Sequence, residues 1–341
     1  MTKRKIILLL LGLLTGCISI SAQEKVQPKK GDGIHSLLIR HHRPGPEYRK
    51  QFIELNRRKL GKDNSLLLNV SYTLPPLKKK TPAPEDPYAV GAKKREPLFG
   101  KEQAGYGILS SELKGATFYI VSGHGGPDPG AIGKMNQHQL HEDEYAYDIA
   151  LRLARNLMIK GAKVHIIIQD AADGIRNERI LKNSKRETCM GATIPQGQVE
   201  RLNQRSAKIN ALNKKDGKGY ARGIFIHIDS RSKSKQTDVF FYHSPQTGSK
   251  QLANTMKKTF AGNYKRHQPG RGFTGTVSER SLYVLNNTIP VSVFVEIGNI
   301  QNPFDQRRVV IDDNRQALAN WMCEAFVADH TQYRKKRKPG Q

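Results

Sequence analysis

TFYIVSGHGGPDPGAIG, residues 117–133, is an apolar run that breaks off into a glycine-rich turn carrying one histidine. Phe118, Tyr119, Ile120 and Val121 are aromatic or β-branched, the composition of a buried strand. The glycines and prolines after Ser122 prevent that strand from continuing. His124 therefore falls at the carboxyl end of a buried strand, where open α/β sheets place their ligands and chemistry. On this stretch alone, a glycine-rich turn with an incidental histidine accounts for the pattern equally well. A phosphate-cradling loop does not, because Asp128 and Met135 stand where that motif needs a glycine and a Ser or Thr.

Downstream, helical and strand periodicities alternate. Tyr145, Ile149, Leu153 and Leu157 recur at helical spacing over 142–159, and Gly161 supplies a carboxyl cap. A second buried strand is expected at 162–168, then a polar, irregular insertion near the site at 170–197 that is long enough to cover or gate a cleft. Further helices are expected at 198–212, 251–260 and 316–329, and strands at 223–228, 239–242, 281–285 and 291–297. This order predicts an α/β domain with a central, mostly parallel sheet flanked by helices.

Three more residues share the placement of His124. Glu142 opens a helix, His227 comes near the end of GIFIHI, and Glu296 near the end of VSVFVEI. Carboxyl ends of parallel strands face one rim, so these positions can converge. Two histidines and a glutamate make the ligand set of a hydrolytic zinc with one position open, and a second glutamate can take a proton from the attacking water. Singly, each has an ordinary explanation: Glu142 complements a helix dipole, and His227 is a satisfied core histidine. Glu296 resists one, since a carboxylate at the exit of VSVFV is costly to bury unpaired.

The ends of the chain bear on its compartment. Lys3, Arg4 and Lys5 precede an apolar run at 6–14 that is too short to span a bilayer, so 1–22 reads as an export signal. Leu14, Thr15, Gly16 and Cys17 resemble a lipobox, which would leave Cys17 lipidated; Ser21 and Ala22 form an equally matched ordinary cleavage site. The expected location is the periplasm or cell envelope, free or tethered through Cys17, with no transmembrane helix. The formal charge of +27, from 57 Lys and Arg against 30 Asp and Glu, attracts polyanions. In an exported protein those are wall polymers and lipid headgroups rather than nucleic acid. Cys189 and Cys323 lack zinc-ribbon spacing and receive no role.

The expected organisation is a small module at 31–75, a Pro, Lys and Glu-rich linker at 76–105, a catalytic domain at 106–330 and a basic tail at 331–341. In the module, the helix, helix, strand order and the FIELN and YTLP segments resemble a degenerate lysin motif, a peptidoglycan-binding unit.

The segments IVSGHGGPDPGAIG, EDEYAYDIALRL, RSAKIN, IFIHID and VFVEIGNIQNP occur in the order found in zinc-dependent N-acetylmuramoyl-L-alanine amidases of bacterial cell walls. The resemblance covers about two thirds of the chain. It implies zinc bound by His124, Glu142 and His227, with Glu296 as catalytic carboxylate and peptidoglycan as substrate. It gives Arg205 and Asn210 a structural or site-shaping role, and favours Glu142 over the rival Glu144 by its spacing to the IALRL helix. Two positions depart from the family pattern: Asp229 after His227, and Asn299 after the glycine of the last segment. A zinc peptidase acting on stem peptides uses the same ligands, and a non-catalytic wall-binding protein is the reading from another class. Whether a protein activator is needed stays open.

Overall fold

The computed structural model describes residues 24–77, 93–216 and 219–337. The expected export signal with Cys17, half of the expected linker and residues 338–341 lie outside them. The chain divides into two compact units, Met1–Glu85 and Asp86–Gln341.

In the smaller unit, helices Ile34–Arg40 and Pro46–Asn56 accompany a short antiparallel pairing of Lys25–Val26 with Tyr72–Thr73. Leu37, Leu38, Phe52, Tyr72 and Leu74 form its core. The Asn56 amide donates to the carbonyls of Phe52 and Thr73 and accepts from the Thr73 N–H, fastening helix to strand. The strand at Lys25–Val26 has two residues, too few to carry a periodicity.

The larger unit is built on β1 (Ala116–Ser122), α1 (Glu142–Ile159), β2 (Lys163–Ile166), α2 (Gln198–Asp216), β3 (Tyr220–Asp229), β4 (Val239–His243), α3 (Ser249–His267), β5 (Val277–Glu279), β6 (Val291–Asn299), α4 (Pro303–Val310) and α5 (Asp312–Arg337). The six strands lie in the order β5-β4-β6-β3-β1-β2. β6, β3, β1 and β2 run parallel, whereas β4 is antiparallel to β6. Alternation along each strand splits the core by face. Phe118, Ile120, Ile224, Ile226, Val293 and Val295 pack with the apolar sides of α1, α3 and α5. Tyr119, Val121, Phe225 and Phe294 face the other way, with Ile209 of α2. Cys323 belongs to the first cluster and Cys189 to the second, and both are free.

Helix α1 brings Glu142 to the site, so its ends matter. Its first turn, Glu142, Asp143 and Glu144, is acidic, matching the positive end of the dipole. At the other end Gly161 takes a left-handed φ of 85°, which lets its N–H reach the Met158 carbonyl and the Ala162 N–H reach that of Leu157. The 170–197 insertion is fixed to this frame. Arg315 is fully buried, pairs with Asp148 of α1 at 2.6 Å, and donates to the carbonyls of Arg176 and Glu178.

Three expectations change. The linker ends earlier than composition indicates: Lys94–Arg95 pairs with Gly105–Tyr106, and Phe99 is buried in the main core. A window average hides one anchoring aromatic among lysines and prolines. Residues 281–285 do not form a strand; Tyr283–Asn286 is a helical turn that buries Val284 and Leu285, an ambiguity inherent in short apolar runs. The basic tail is helical through Arg337, because His330 and Tyr333 pack edge-on against Tyr220, and Lys and Arg suit a helix carboxyl end. No helix among the described residues is long and apolar enough to cross a membrane.

Phe99→Ala is expected to destabilise the larger unit by about 3–5 kcal/mol in denaturant unfolding of the full chain. A loss under about 1 kcal/mol would mean that the segment around Phe99 is peripheral to this core.

Candidate metal centre

The carboxyl ends of β1 and β3 place two imidazoles against each other. His227 lies on β3 in register with Glu296 on β6, so the two side chains share a face of the sheet. The His227 ring stacks on Phe294, centroids 4.2 Å apart, and meets the His124 ring edge-on at 4.9 Å. This closeness depends on missing side chains. A Cβ on Gly123 would lie 2.4 Å from the His227 ring, and one on Gly130 would lie 2.6 Å from His124 and 2.7 Å from Glu142. His124 itself has φ 60°, a left-handed conformation uncommon for a residue with a side chain. The buried Arg205 guanidinium donates to the His124 carbonyl and helps hold that turn.

Glu142 enters from the amino end of α1, almost wholly buried. Its Oε1 lies 3.0 Å from His227 Nδ1 and 3.3 Å from His124 Nε2, and also accepts from the Ile228 N–H. Its Oε2 accepts from the Ala131 N–H at 2.8 Å. His124, Glu142 and His227 each present a ligand atom, all within 4.8 Å of one another.

Behind His124 stands a residue that sequence reasoning passed over. Asp128 Oδ2 is 2.9 Å from His124 Nδ1 and accepts from Arg201 Nη2 at 2.8 Å. A carboxylate on one ring nitrogen orients the imidazole and leaves the other nitrogen free to bind a metal. The available signal was an acidic residue four places beyond the histidine in the same turn.

The electrostatics follow from these contacts. Burial works against protonation of His124, but its bonds to Asp128 and Glu142 outweigh it and carry the imidazole up to about 10. Burial raises the Glu142 carboxyl, and the two histidines overcome this and bring it well below the usual range. Burial keeps His227 below its ordinary value. Glu296 is pushed well above the usual carboxylate range, first by burial and then by the carboxylates of Glu142 and Asp229. Its Oε2 is enclosed without a hydrogen-bond partner among the described residues. Two imidazole nitrogens and a carboxylate suit a divalent metal, and the unpartnered Oε2 suits a proton acceptor beside it.

The remaining expected residues sit around this centre. Glu144 turns away, to Arg176 and the Ser184 N–H. Asn210 is structural: it bonds the backbone of Asn287 and Ile289. Asp229 pairs with Arg231, while the buried Asn299 bonds the backbone of Arg231, Ser232 and Lys235 and so shapes the loop after β3.

The sequence profile of the family described as N-acetylmuramoyl-L-alanine amidase matches residues 119–327, which include every residue of this centre. The germination-specific N-acetylmuramoyl-L-alanine amidase of Bacillus subtilis (strain 168) is 24% identical over 197 residues, 57% of this chain and 71% of that protein. Among solved structures, an N-acetylmuramoyl-L-alanine amidase from Clostridium difficile 630 is similar at 20% identity and TM-score 0.47, covering 65% of this chain and 98% of its own. The CwlD amidase from Clostridioides difficile, in complex with the GerS lipoprotein, is similar at 17% identity and TM-score 0.48, covering 64% and 99%.

In the metal-free protein His124 should remain protonated until about pH 10, followed by histidine NMR. Because this value lies above the ordinary 6.5, its contribution to stability is complete below 6.5 and lost as pH rises through about 10. Asp128→Asn should lower it by at least about one unit. Titration of His124 near 6.5 in the unaltered protein would contradict the arrangement.

Proposed function

The chain belongs to the N-acetylmuramoyl-L-alanine amidase family, whose reaction hydrolyses the amide between N-acetylmuramic acid and L-alanine in peptidoglycan, and we propose that it works through zinc held by His124, Glu142 and His227. The observation that carries this reading is a three-donor cluster with an unpartnered carboxylate oxygen, that of Glu296, on the strand beside it. When bound there, zinc supplies a Lewis acid that polarises the scissile carbonyl and makes a water easier to deprotonate.

The side chains divide the remaining work. Asp128 accepts from His124 Nδ1 and directs Nε2 toward Glu142 and His227. Glu296 takes the proton released as water attacks the lactyl carbonyl. As the carbon–nitrogen bond breaks, it passes that proton to the leaving L-alanine nitrogen. Its elevated affinity for protons in the metal-free site suits a group that must accept one.

The smaller unit is proposed to bind the wall. Its FIELN and YTLP segments lie on the second helix and the closing strand, joined through Asn56. Export through residues 1–22, with Cys17 as a lipid site, completes the proposal and agrees with a substrate outside the cytoplasm.

Purified protein should release peptidoglycan fragments with free L-alanine amino termini and intact glycan, lose that activity to a chelator and recover it with zinc. Mass spectra that instead place the cut inside the stem would favour a peptidase. Glu296→Gln should keep its metal and lose about 10²–10⁴-fold in rate. Near-normal turnover by this variant would remove Glu296 from the mechanism.

A further inference from the structure

Beside the histidine cluster lies a second group of acidic side chains that the reaction does not use. Asp143, Glu144 and Glu187 each present an oxygen, all within 4.8 Å of one another. They are 3%, 1% and 7% exposed. An acidic first turn explains two of them through the helix dipole. It does not explain Glu187, which arrives from the 170–197 insertion.

The hydrogen bonds leave one enclosed oxygen over. Glu144 is bonded by Arg176 Nη2 at 2.9 Å and by the Ser184 N–H. Glu187 Oε2 accepts from the Gly126 N–H at 2.8 Å. Asp143 Oδ1 accepts from the Glu144 N–H at 2.9 Å, but Asp143 Oδ2 is enclosed with no hydrogen-bond partner among the described residues. Among the described residues the side-chain cation bonded to the group is Arg176, through Glu144. Ionised together, the three carboxylates set against one guanidinium would carry an excess of two negative charges (3 − 1) out of water. Buried charge of that size is compensated or it is not tolerated.

We propose that Asp143, Glu144 and Glu187 form a second cation site, distinct from the histidine centre, for a hard divalent ion of the calcium or magnesium class. Oxygen-only donors select such ions over zinc, whose preferred ligands include nitrogen and sulfur. Asp143 Oδ2 is the unused ligand atom. The site ties separate parts of the fold together. Glu187 holds the Gly126 N–H, and the Asp143 N–H reaches the Pro129 carbonyl, so both grip the loop that carries Asp128 and follows His124. A cation here fastens the insertion to that loop. The inference does not rest on the amidase reading, since it concerns stability rather than turnover.

The test is thermal unfolding of the zinc-saturated full-length protein with Ca²⁺, Mg²⁺ or Mn²⁺ added at millimolar concentration. At least one of these ions should raise the melting temperature by roughly 5 °C. Asp143→Asn should lose that shift while keeping its zinc content, and Glu187→Gln provides the same comparison if the first variant does not fold. No shift with any of the three ions would overturn the proposal, as would a variant that shifts as far as the unaltered protein. An Asp143→Asn protein that melts higher than an ion-insensitive parent would also overturn it, and would show the carboxylates sharing a proton instead.

Discussion

Parallel pairing of β3 with β6, in the register that sets His227 beside Glu296, is the constraint from which the rest of the centre follows. A slip of one residue would turn every side chain of one strand to the opposite face and separate the two. The apolar alternation of both strands, with Phe225 and Phe294 on one face and Ile226 and Val295 on the other, makes such a slip expensive. The sheet core therefore fixes the chemistry as well as the fold. β1 then adds His124 from the other side of β3, and α1 adds Glu142 from above the strand ends.

Bringing these groups together has a cost that the surroundings offset. A left-handed backbone at His124 costs about 1–3 kcal/mol. Bonds from Arg205 to the His124 carbonyl and from Asp128 to its ring hold the residue in place. The glycines at 123 and 130 admit the rings to distances that any side chain would forbid. Arg201 in turn pairs with Asp128, so the imidazole is supported by a chain of charge reaching to α2. The insertion is part of this support. Arg315, Asp148 and Arg152 anchor its backbone at Arg176, and Glu187 anchors the loop after His124.

Much of this was legible in the sequence, and for definite reasons. The strands holding His227 and Glu296 are long apolar runs, and α1 has an acidic start and a glycine stop, so their places could be read directly. Asp128 was missed because its partner is set by a non-helical turn, which carries no periodic signal. α4 was missed although Asn302 caps it and Pro303 begins it, a pairing of residues that marks a helix start. The acidic group was visible only in part. EDE stands out at 142–144, but nothing in the sequence ties it to Glu187.

The central claim is that two imidazoles and one carboxylate, converging from β1, α1 and β3, hold the catalytic metal. X-ray absorption at the zinc edge of the purified protein tests it most directly. The expected spectrum has two imidazole nitrogens and carboxylate or water oxygens at about 2.0–2.2 Å, with one imidazole lost in His227→Ala. A zinc shell without imidazole scattering, or one unchanged by that substitution, would contradict the account.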